Sequence, residues 1–404
     1  MPIASTPPPP LDDPTISDIL HCPPLQWGMI GCGRVCHDFV QALKHLPTAT
    51  VVACSTRDDV KRAQEFADKH GVEKAYGNYD ELINDPKVQI VYVGNVHAFR
   101  RPIVEKCILA NKHTLVEKPF ACSTADAEYL IGLAKERNIF IMEGMWTRFF
   151  PAVEKARRLV FGGGESDEPT IGEVTMVASD FNFNASDSEE YPTSFVYQRK
   201  LGGGATLLTG PYPVAASTLF FGSREPDKIQ VTGQVDRETE VDLQACVSLG
   251  FPPTSETPPA LDSSKEENTP KLPGAGVASL TYGMVAESDE TTSIVATKGR
   301  LTILTPCHCP TGLRVALKSK GRGNAAGQME YNFPLPEDTE AITKAGGFVY
   351  PNSAGFCYEA AAVARCIAAG KTEAPQYTLA ETIITMKVLD EVRRQLGAKG
   401  THDE

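Results

Sequence analysis

From Trp27 onward the chain alternates short apolar runs with stretches of helical period. Trp27-Gly28-Met29-Ile30 reads as a buried strand, and after a glycine turn Val35, Phe39, Leu43 and Leu46 recur at i, i+4, i+8 and i+11, one face of a helix. The same grammar repeats. Strand Val51-Val52-Ala53-Cys54 precedes a helix near 60–70 that Gly71 stops, then come a short strand at Ala75-Tyr76 and a helix ending at Asp85-Pro86. A strand over 89–93, a helix over about 101–111 and strand Thr114-Leu115-Val116 follow. Ser123, with Asp126 three residues on, opens the next helix, and a strand over 139–142 closes the series. Six strands alternating with helices predict an α/β unit over 25–150 built on a parallel, doubly wound sheet.

After Pro151 the period changes. A helix over about 151–161 leads into alternating positions such as Val241, Leu243, Ala245, Val247, Leu249 and Phe251, and again Leu313, Val315 and Leu317. Strands are predicted near 172–183, 228–235, 240–251, 277–286, 292–297, 300–305, 313–319 and 328–334, with few helices between them and two closing helices at about 355–369 and 378–396. This pattern predicts an α+β domain over 151–404 with a large, mainly antiparallel open sheet, polar on one face. Two segments fall outside the pattern. Residues 1–24 include Pro7 to Pro10 in a row and read as a disordered leader, and 252–276, with six prolines among Ser, Glu and Thr, read as a disordered insertion in a hairpin connection.

The 404 residues suffice for two domains with cores of their own. With 39 Lys+Arg against 51 Asp+Glu the net charge is −12, which disfavours nucleic acid or an anionic membrane as partner. Eleven scattered cysteines suit a reducing compartment. Cys307-His308-Cys309 is the one tight thiol/imidazole cluster, and it lacks the four ligands of a zinc site, so no metal is expected. No apolar run approaches the ~18 residues of a membrane helix, and residues 1–33 hold no Lys or Arg for a targeting signal. The expected location is cytoplasmic.

Candidate chemistry begins at Gly31-Cys32-Gly33-Arg34-Val35-Cys36, a GxGxx(small) turn between a strand and a helix, where a helix amino terminus would meet a pyrophosphate, as in a Rossmann domain. At the end of the second strand, where NAD enzymes present an acid to the ribose, this chain has Ser55, Thr56 and Arg57, with Asp58 beyond. Hydroxyls and an Arg suit a 2′-phosphate, so NADP(H) is the expected cofactor. Lys118, in Glu117-Lys118-Pro119, emerges at the carboxyl end of a parallel strand, the ligand side of such sheets.

The order of that glycine turn, Val91-Tyr92-Val93-Gly94-Asn95-Val96-His97, Glu117-Lys118-Pro119 and Met142-Glu143-Gly144-Met145-Trp146-Thr147-Arg148-Phe149-Phe150-Pro151 resembles the Gfo/Idh/MocA oxidoreductase family. The likeness is greatest to its dimeric dihydrodiol dehydrogenase and fungal NADP-dependent D-xylose dehydrogenase branches. It runs from about Trp27 to Gly397, the Pro-rich insertion excepted. The resemblance implies that Lys118 touches substrate and nicotinamide ribose. It also implies that Gly31, Cys32, Gly33, Arg34, Val35, Ser55, Arg57, Gly94, Asn95, His97 and Glu117 line the cofactor, and that Trp146 and Arg148 lie against its nicotinamide side. Gly202-Gly203-Gly204-Ala205-Thr206-Leu207-Leu208-Thr209-Gly210-Pro211-Tyr212 matches the family's acid/base segment and puts Tyr212 at the proton-transfer position, with Lys118 as the cation that favours its phenolate.

Two departures stand out. The family's Asp in this segment falls on Leu208, and Phe99 and Arg100 occupy a turn where relatives often carry His; both are expected on the substrate side. The implied activity is an NADP-dependent dehydrogenase passing hydride between nicotinamide and a CH–OH group of a D-xylose-like aldopyranose or a trans-dihydrodiol. The alternatives are an NADP(H)-binding sensor without turnover and, third, redox-neutral chemistry with held cofactor. A homodimer through the open sheet is implied too.

Overall fold

The computed structural model describes residues 19–162, 171–254, 274–318, 325–398 and 400–401. The first half builds β1 (Leu25–Ile30), α1 (Arg34–Leu43), β2 (Ala49–Ser55), α2 (Val60–His70), β3 (Lys74–Tyr76), α3 (Tyr79–Asn84), β4 (Ile90–Val93), α4 (Arg100–Leu109), β5 (His113–Glu117), α5 (Thr124–Glu136) and β6 (Ile141–Gly144). All its strand pairs are parallel, in the order β3-β2-β1-β4-β5-β6. Chain order reverses between β1 and β4, so a crevice opens at the carboxyl ends of those strands. The helix limits follow local chemistry. Ser123 caps α5 by accepting from the Asp126 amide at 3.2 Å, and Gly71 ends α2 at φ +72°.

The second half builds α6 (Pro151–Phe161), β7 (Val174–Asn182), α7 (Ala205–Leu208), α8 (Pro211–Phe220), β8 (Lys228–Val235), β9 (Asp242–Phe251), β10 (Gly276–Gly283), β11 (Thr292–Ala296), β12 (Gly299–Ile303), β13 (Gly312–Lys318), β14 (Ala325–Asn332), α9 (Glu340–Lys344), α10 (Phe356–Ala368) and α11 (Leu379–Leu396). Its strands form an eight-stranded sheet, β14-β13-β12-β11-β7-β10-β9-β8, antiparallel except for β7 with β10. The expected fold class stands: a doubly wound parallel sheet, then an α+β unit with an open sheet. Alternation decides the faces. Val247, Leu249 and Leu280 are buried under α8 and α11, while Cys246 and Val277 are exposed on the other side.

The closing helices return to the first half: α10 packs on α1, and α11 on α5. Phe39 of α1 stacks on Tyr92 at 3.9 Å and meets Trp27 and Phe356 edge-on, so one continuous core runs through both sheets. Phe39→Ala would cost about 3–5 kcal/mol. Among the described residues no helix is long and apolar enough to cross a membrane.

Two expectations need correction at their edges. Residues 1–18 of the leader lie outside the described residues, but 19–24 are packed: Ile19 and Leu20 rest on the core, Cys22 is buried, and Arg365 donates to the carbonyls of Ile19 and His21 at 2.8 and 2.9 Å. Residues 255–273 of the insertion also lie outside them. Its ends are fixed, since Arg224 donates to the carbonyls of Pro252 and Gly274, and Gly276 already pairs with Phe251.

Candidate functional site

Gly31 leaves β1 at φ +97°, and its amide donates to the Ser55 carbonyl at 2.9 Å, which turns the chain into α1. Cys36, at the third glycine position, lays its Sγ 3.6 Å from the Ile30 carbonyl and 3.8 Å from that of Gly94. A Cβ on Gly94 would sit 2.5 Å from that sulfur, so Gly94 makes the room that Cys36 occupies. Gly33 caps α1 without a side-chain bond, and beyond its chain neighbours nothing among the described residues lies within 4 Å of where its Cβ would be. The Arg34 and Val35 amides at this open helix start suit an anion.

Asn95, just past β4, has both side-chain amide atoms buried without a partner among the described residues. Buried polar atoms are rarely left so, and this donor and acceptor beside the glycine turn fit a polar ligand such as the ribose or carboxamide of a nicotinamide dinucleotide. Arg57 projects beyond β2, 3.1 Å from Asp58 and 5.6 Å above the Phe99 ring. Phe99 therefore lies at the β2 end of the crevice, beside Arg57, and not on the expected substrate side.

Several residues expected on the cofactor do other work. The Ser55 side chain is fully buried and its hydroxyl donates to the Asn78 carbonyl at 2.7 Å. His97 is buried with Nδ1 2.8 Å from the Gly202 carbonyl, tying its turn to the second half; burial lowers its pKa and keeps the ring neutral. The Glu117 carboxylate accepts from the Tyr92 hydroxyl (2.7 Å) and the Lys118 amide (3.1 Å), bracing the loop from below. Arg148 is buried, donating to Glu381 at 2.9 Å and to the carbonyls of Ala215 and Gln376, so it anchors α8 and α11. Arg34 reaches Glu189 at 3.0 Å, across to the second half. Arg100 is buried and donates to the carbonyls of Asn95, Glu117 and Pro119; it stitches two loops together and does not face substrate.

Lys118 and Tyr212 do come together. Lys118 follows β5, its Nζ donates to the Leu208 carbonyl at 2.7 Å and lies 4.6 Å from the centre of the Tyr212 ring. Leu208 thus holds the ammonium through its main chain, whatever its side chain. Burial brings the Lys118 pKa down to about 8 against the opposing pull of Glu117. Tyr212, in the first turn of α8, accepts from Trp146 Nε1 at 3.1 Å. Trp146 is itself fixed by stacking on Phe356 at 4.1 Å. Burial and Glu117 raise the Tyr212 pKa well above its usual value, so the group rests as a neutral phenol, not as the expected phenolate.

Sequence reasoning missed the wall around Tyr212. Phe181 meets its ring at 5.2 Å, and His308, stacked on Phe181 at 4.4 Å, approaches it at 5.3 Å while its Nδ1 pairs with Glu290 at 3.0 Å. The Cys307-His308-Cys309 cluster was the signal. Its thiols turn to the carbonyls of Asp180 and Pro351, and among the described residues no cluster could hold a metal ion.

Comparison with known proteins agrees with this layout. A family model described as an oxidoreductase family with an NAD-binding Rossmann fold matches residues 25–145, and one for the GFO/IDH/MocA C-terminal domain matches 166–255. Trans-1,2-dihydrobenzene-1,2-diol dehydrogenase of Sus scrofa is 33% identical over 382 residues, 94% of this chain and 99% of the relative; that of Danio rerio is 32% identical over 383 residues, again 94% and 99%. Among solved structures, a 3-ketoreductase from Actinomadura kijaniata in complex with NADP and TDP-benzene superimposes with a TM-score of 0.69 at 22% identity, covering 92% of this chain and 98% of its own. A levoglucosan dehydrogenase in complex with NADH and levoglucosan gives 0.74 at 17% identity, covering 92% and 97%. These two likenesses concern the fold. With the two domain matches and the full-length relatives, the chain belongs to the Gfo/Idh/MocA family of NAD(P)-binding oxidoreductases.

Proposed function

We propose that this chain is an NADP-dependent dehydrogenase that exchanges a hydride with a CH–OH carbon of a small cyclic substrate. The observation that carries the reading is the Lys118 ammonium 4.6 Å from the Tyr212 ring, at the carboxyl ends of the parallel strands. In the reductive direction Tyr212, held neutral by burial, donates its phenol proton to the substrate carbonyl oxygen, and Lys118 offsets the negative charge left behind. In the oxidative direction the phenolate takes the hydroxyl proton. Bound nicotinamide supplies or accepts the hydride at its C4. Gly31, Cys32, Gly33 and the first amides of α1 would hold its pyrophosphate, Asn95 its nicotinamide half, and Arg57 over Phe99 the 2′-phosphate of NADP.

The substrate wall of Trp146, Phe181 and His308 suits a flat apolar ring face, which favours a trans-dihydrodiol, in keeping with the name of the full-length relatives. An aldopyranose is the second reading, favoured by the His308–Glu290 pair as a polar contact for ring hydroxyls. The sensor reading loses ground because Lys118 keeps its anchor on the Leu208 carbonyl without the family's Asp. We also propose a homodimer through the open sheet face, where Val277, Met176 and Val295 form an exposed apolar row across neighbouring strands.

Nicotinamide absorbance assays against trans-dihydrodiols, aldopyranoses and dicarbonyls test the proposal, with saturable turnover expected. Tyr212→Phe should lower kcat about 10²- to 10⁴-fold while the NADPH dissociation constant stays within about twofold. Near-normal turnover in that variant removes Tyr212 from its role. NADPH binding by the parent with no turnover on any substrate supports the sensor instead.

A further inference from the structure

The glycine turn carries chemistry that hydride transfer does not use. Cys32 sits between Gly31 and Gly33. Cys54 is the penultimate residue of β2, opposite Met29 in the sheet register. Two successive residues of α2 locate both cysteines in one corner: Arg62 donates to the Cys32 carbonyl at 3.4 Å, and the Cys54 thiol donates to the Ala63 carbonyl at 3.3 Å. Gly31 and Ser55, the chain neighbours of Cys32 and Cys54, are joined by a main-chain hydrogen bond of 2.9 Å, and each thiol shifts the other's pKa, Cys32 down and Cys54 up. Cys54 is buried, whereas Cys32 is partly open to solvent beside the cofactor crevice. Cys36, the third thiol nearby, is buried with its sulfur turned onto Ile30 and Gly94.

We propose that Cys32 and Cys54 form an oxidisable dithiol, and that a disulfide between them switches off dinucleotide binding. The neighbouring Cys54 thiol and the Arg62 guanidinium lower the Cys32 pKa, and the start of α1 at Arg34 adds a favourable dipole, so the partly open Cys32, as its thiolate, is the group that attacks first. With a peroxide as oxidant the step balances. The Cys32 thiolate attacks one oxygen of hydrogen peroxide, giving a sulfenic acid and hydroxide. The Cys54 thiol then attacks the sulfenic sulfur, forming the S–S bond and releasing water, so two electrons pass from the thiols to the peroxide. The crosslink holds the middle residue of the glycine turn toward β2 and α2, where the turn can no longer shape itself to a pyrophosphate. Bound cofactor covers the turn and sets its own negative charge beside the thiolate, which predicts protection.

The inference rests on the dinucleotide reading of this turn, and NADPH binding by the reduced full-length protein tests that reading separately. After hydrogen peroxide treatment, non-reducing peptide mapping should recover a Cys32–Cys54 linked peptide. The NADPH dissociation constant should rise by about tenfold or more and return to its starting value with dithiothreitol, and preincubation with NADPH should slow the linkage. Cys54→Ser leaves NADPH binding by the reduced protein unchanged and should abolish the dithiothreitol-reversible loss. A disulfide mapped to other cysteines overturns the proposal. So does unchanged NADPH affinity in the crosslinked protein, or a reversible loss that persists in Cys54→Ser.

Discussion

Arg57 is the residue proposed to set the cofactor preference, and its surroundings give that role a measurable size. The side chain is 62% exposed, paired with a still more exposed Asp58 and resting on Phe99, so little of the fold depends on it. Its proposed bond to a 2′-phosphate is charge-assisted, worth about 1.5–3 kcal/mol, or roughly 10- to 100-fold in affinity. Arg57→Ala should weaken NADPH by that factor in a fluorescence titration and leave NADH nearly unchanged; equal losses for both cofactors would move the 2′-phosphate contact elsewhere. At this scale the sequence was readable in one respect, the pairing of Lys118 with Tyr212, whose side chains meet at 4.6 Å. It was not where the main chain does the work. Leu208 looks like a lost carboxylate in the sequence, yet its carbonyl holds Lys118. Nor could spacing reveal that Ser55, Glu117 and Arg148 turn their polar atoms away from the crevice, because only tertiary packing decides where a side chain points.

Among the elements, the two loops above β4 and β5 depend on one side chain. Arg100 opens α4 and reaches back to the carbonyls of Asn95, Glu117 and Pro119, so the turn that carries Asn95 and the loop that carries Lys118 share a donor. Arg100→Met keeps the aliphatic stem and leaves three carbonyls short of a partner, which should cost about 3 kcal/mol or more in urea unfolding and lower kcat by displacing Lys118. An unchanged unfolding midpoint with altered substrate KM would return Arg100 to the substrate side. Strands and longer helices were legible because periods of 2 and 3.6 survive in single sequences. The segment over 184–220 was not. It folds into three 3₁₀ turns and the short α7 and α8, held by bonds such as those from the Thr206 amide and hydroxyl to the buried Asp242, both 2.6 Å, and such pairings leave no period to read.

For the molecule as a whole, the two halves are joined along the polar side of α1. His37, Asp38 and Gln41 are all buried, and their partners come some 300 residues later: the Val349 and Tyr350 amides donate to Asp38 at 2.8 and 2.9 Å, and Gln41 donates to the carbonyls of Ile342 and Gly347. Apolar periodicity finds the other face of this helix and is silent on this one. The junction contains a histidine pair with a pH signature. His37 Nε2 lies 2.9 Å from the Gly347 carbonyl and must donate to it, so Nδ1 of the neutral ring accepts from His70 Nε2, also at 2.9 Å. Burial, helped by His37, Lys44 and Lys69, pulls the His70 pKa down to about 3, and burial lowers that of His37 as well. The sign follows. The unfolded chain takes up a proton at His70 near pH ~6.5 and the folded chain refuses it until about pH 3, so stability is whole above that range and falls as the pH drops through it. Between about pH 7.5 and 5.5 His70 alone should remove roughly 1 kcal/mol of unfolding free energy. In His70→Gln, which can still donate an amide hydrogen to His37, the loss between those two pH values should shrink by that amount when measured by urea unfolding. An identical pH dependence in the two proteins would mean that the pair is protonated in the folded state and that the junction tolerates the charge.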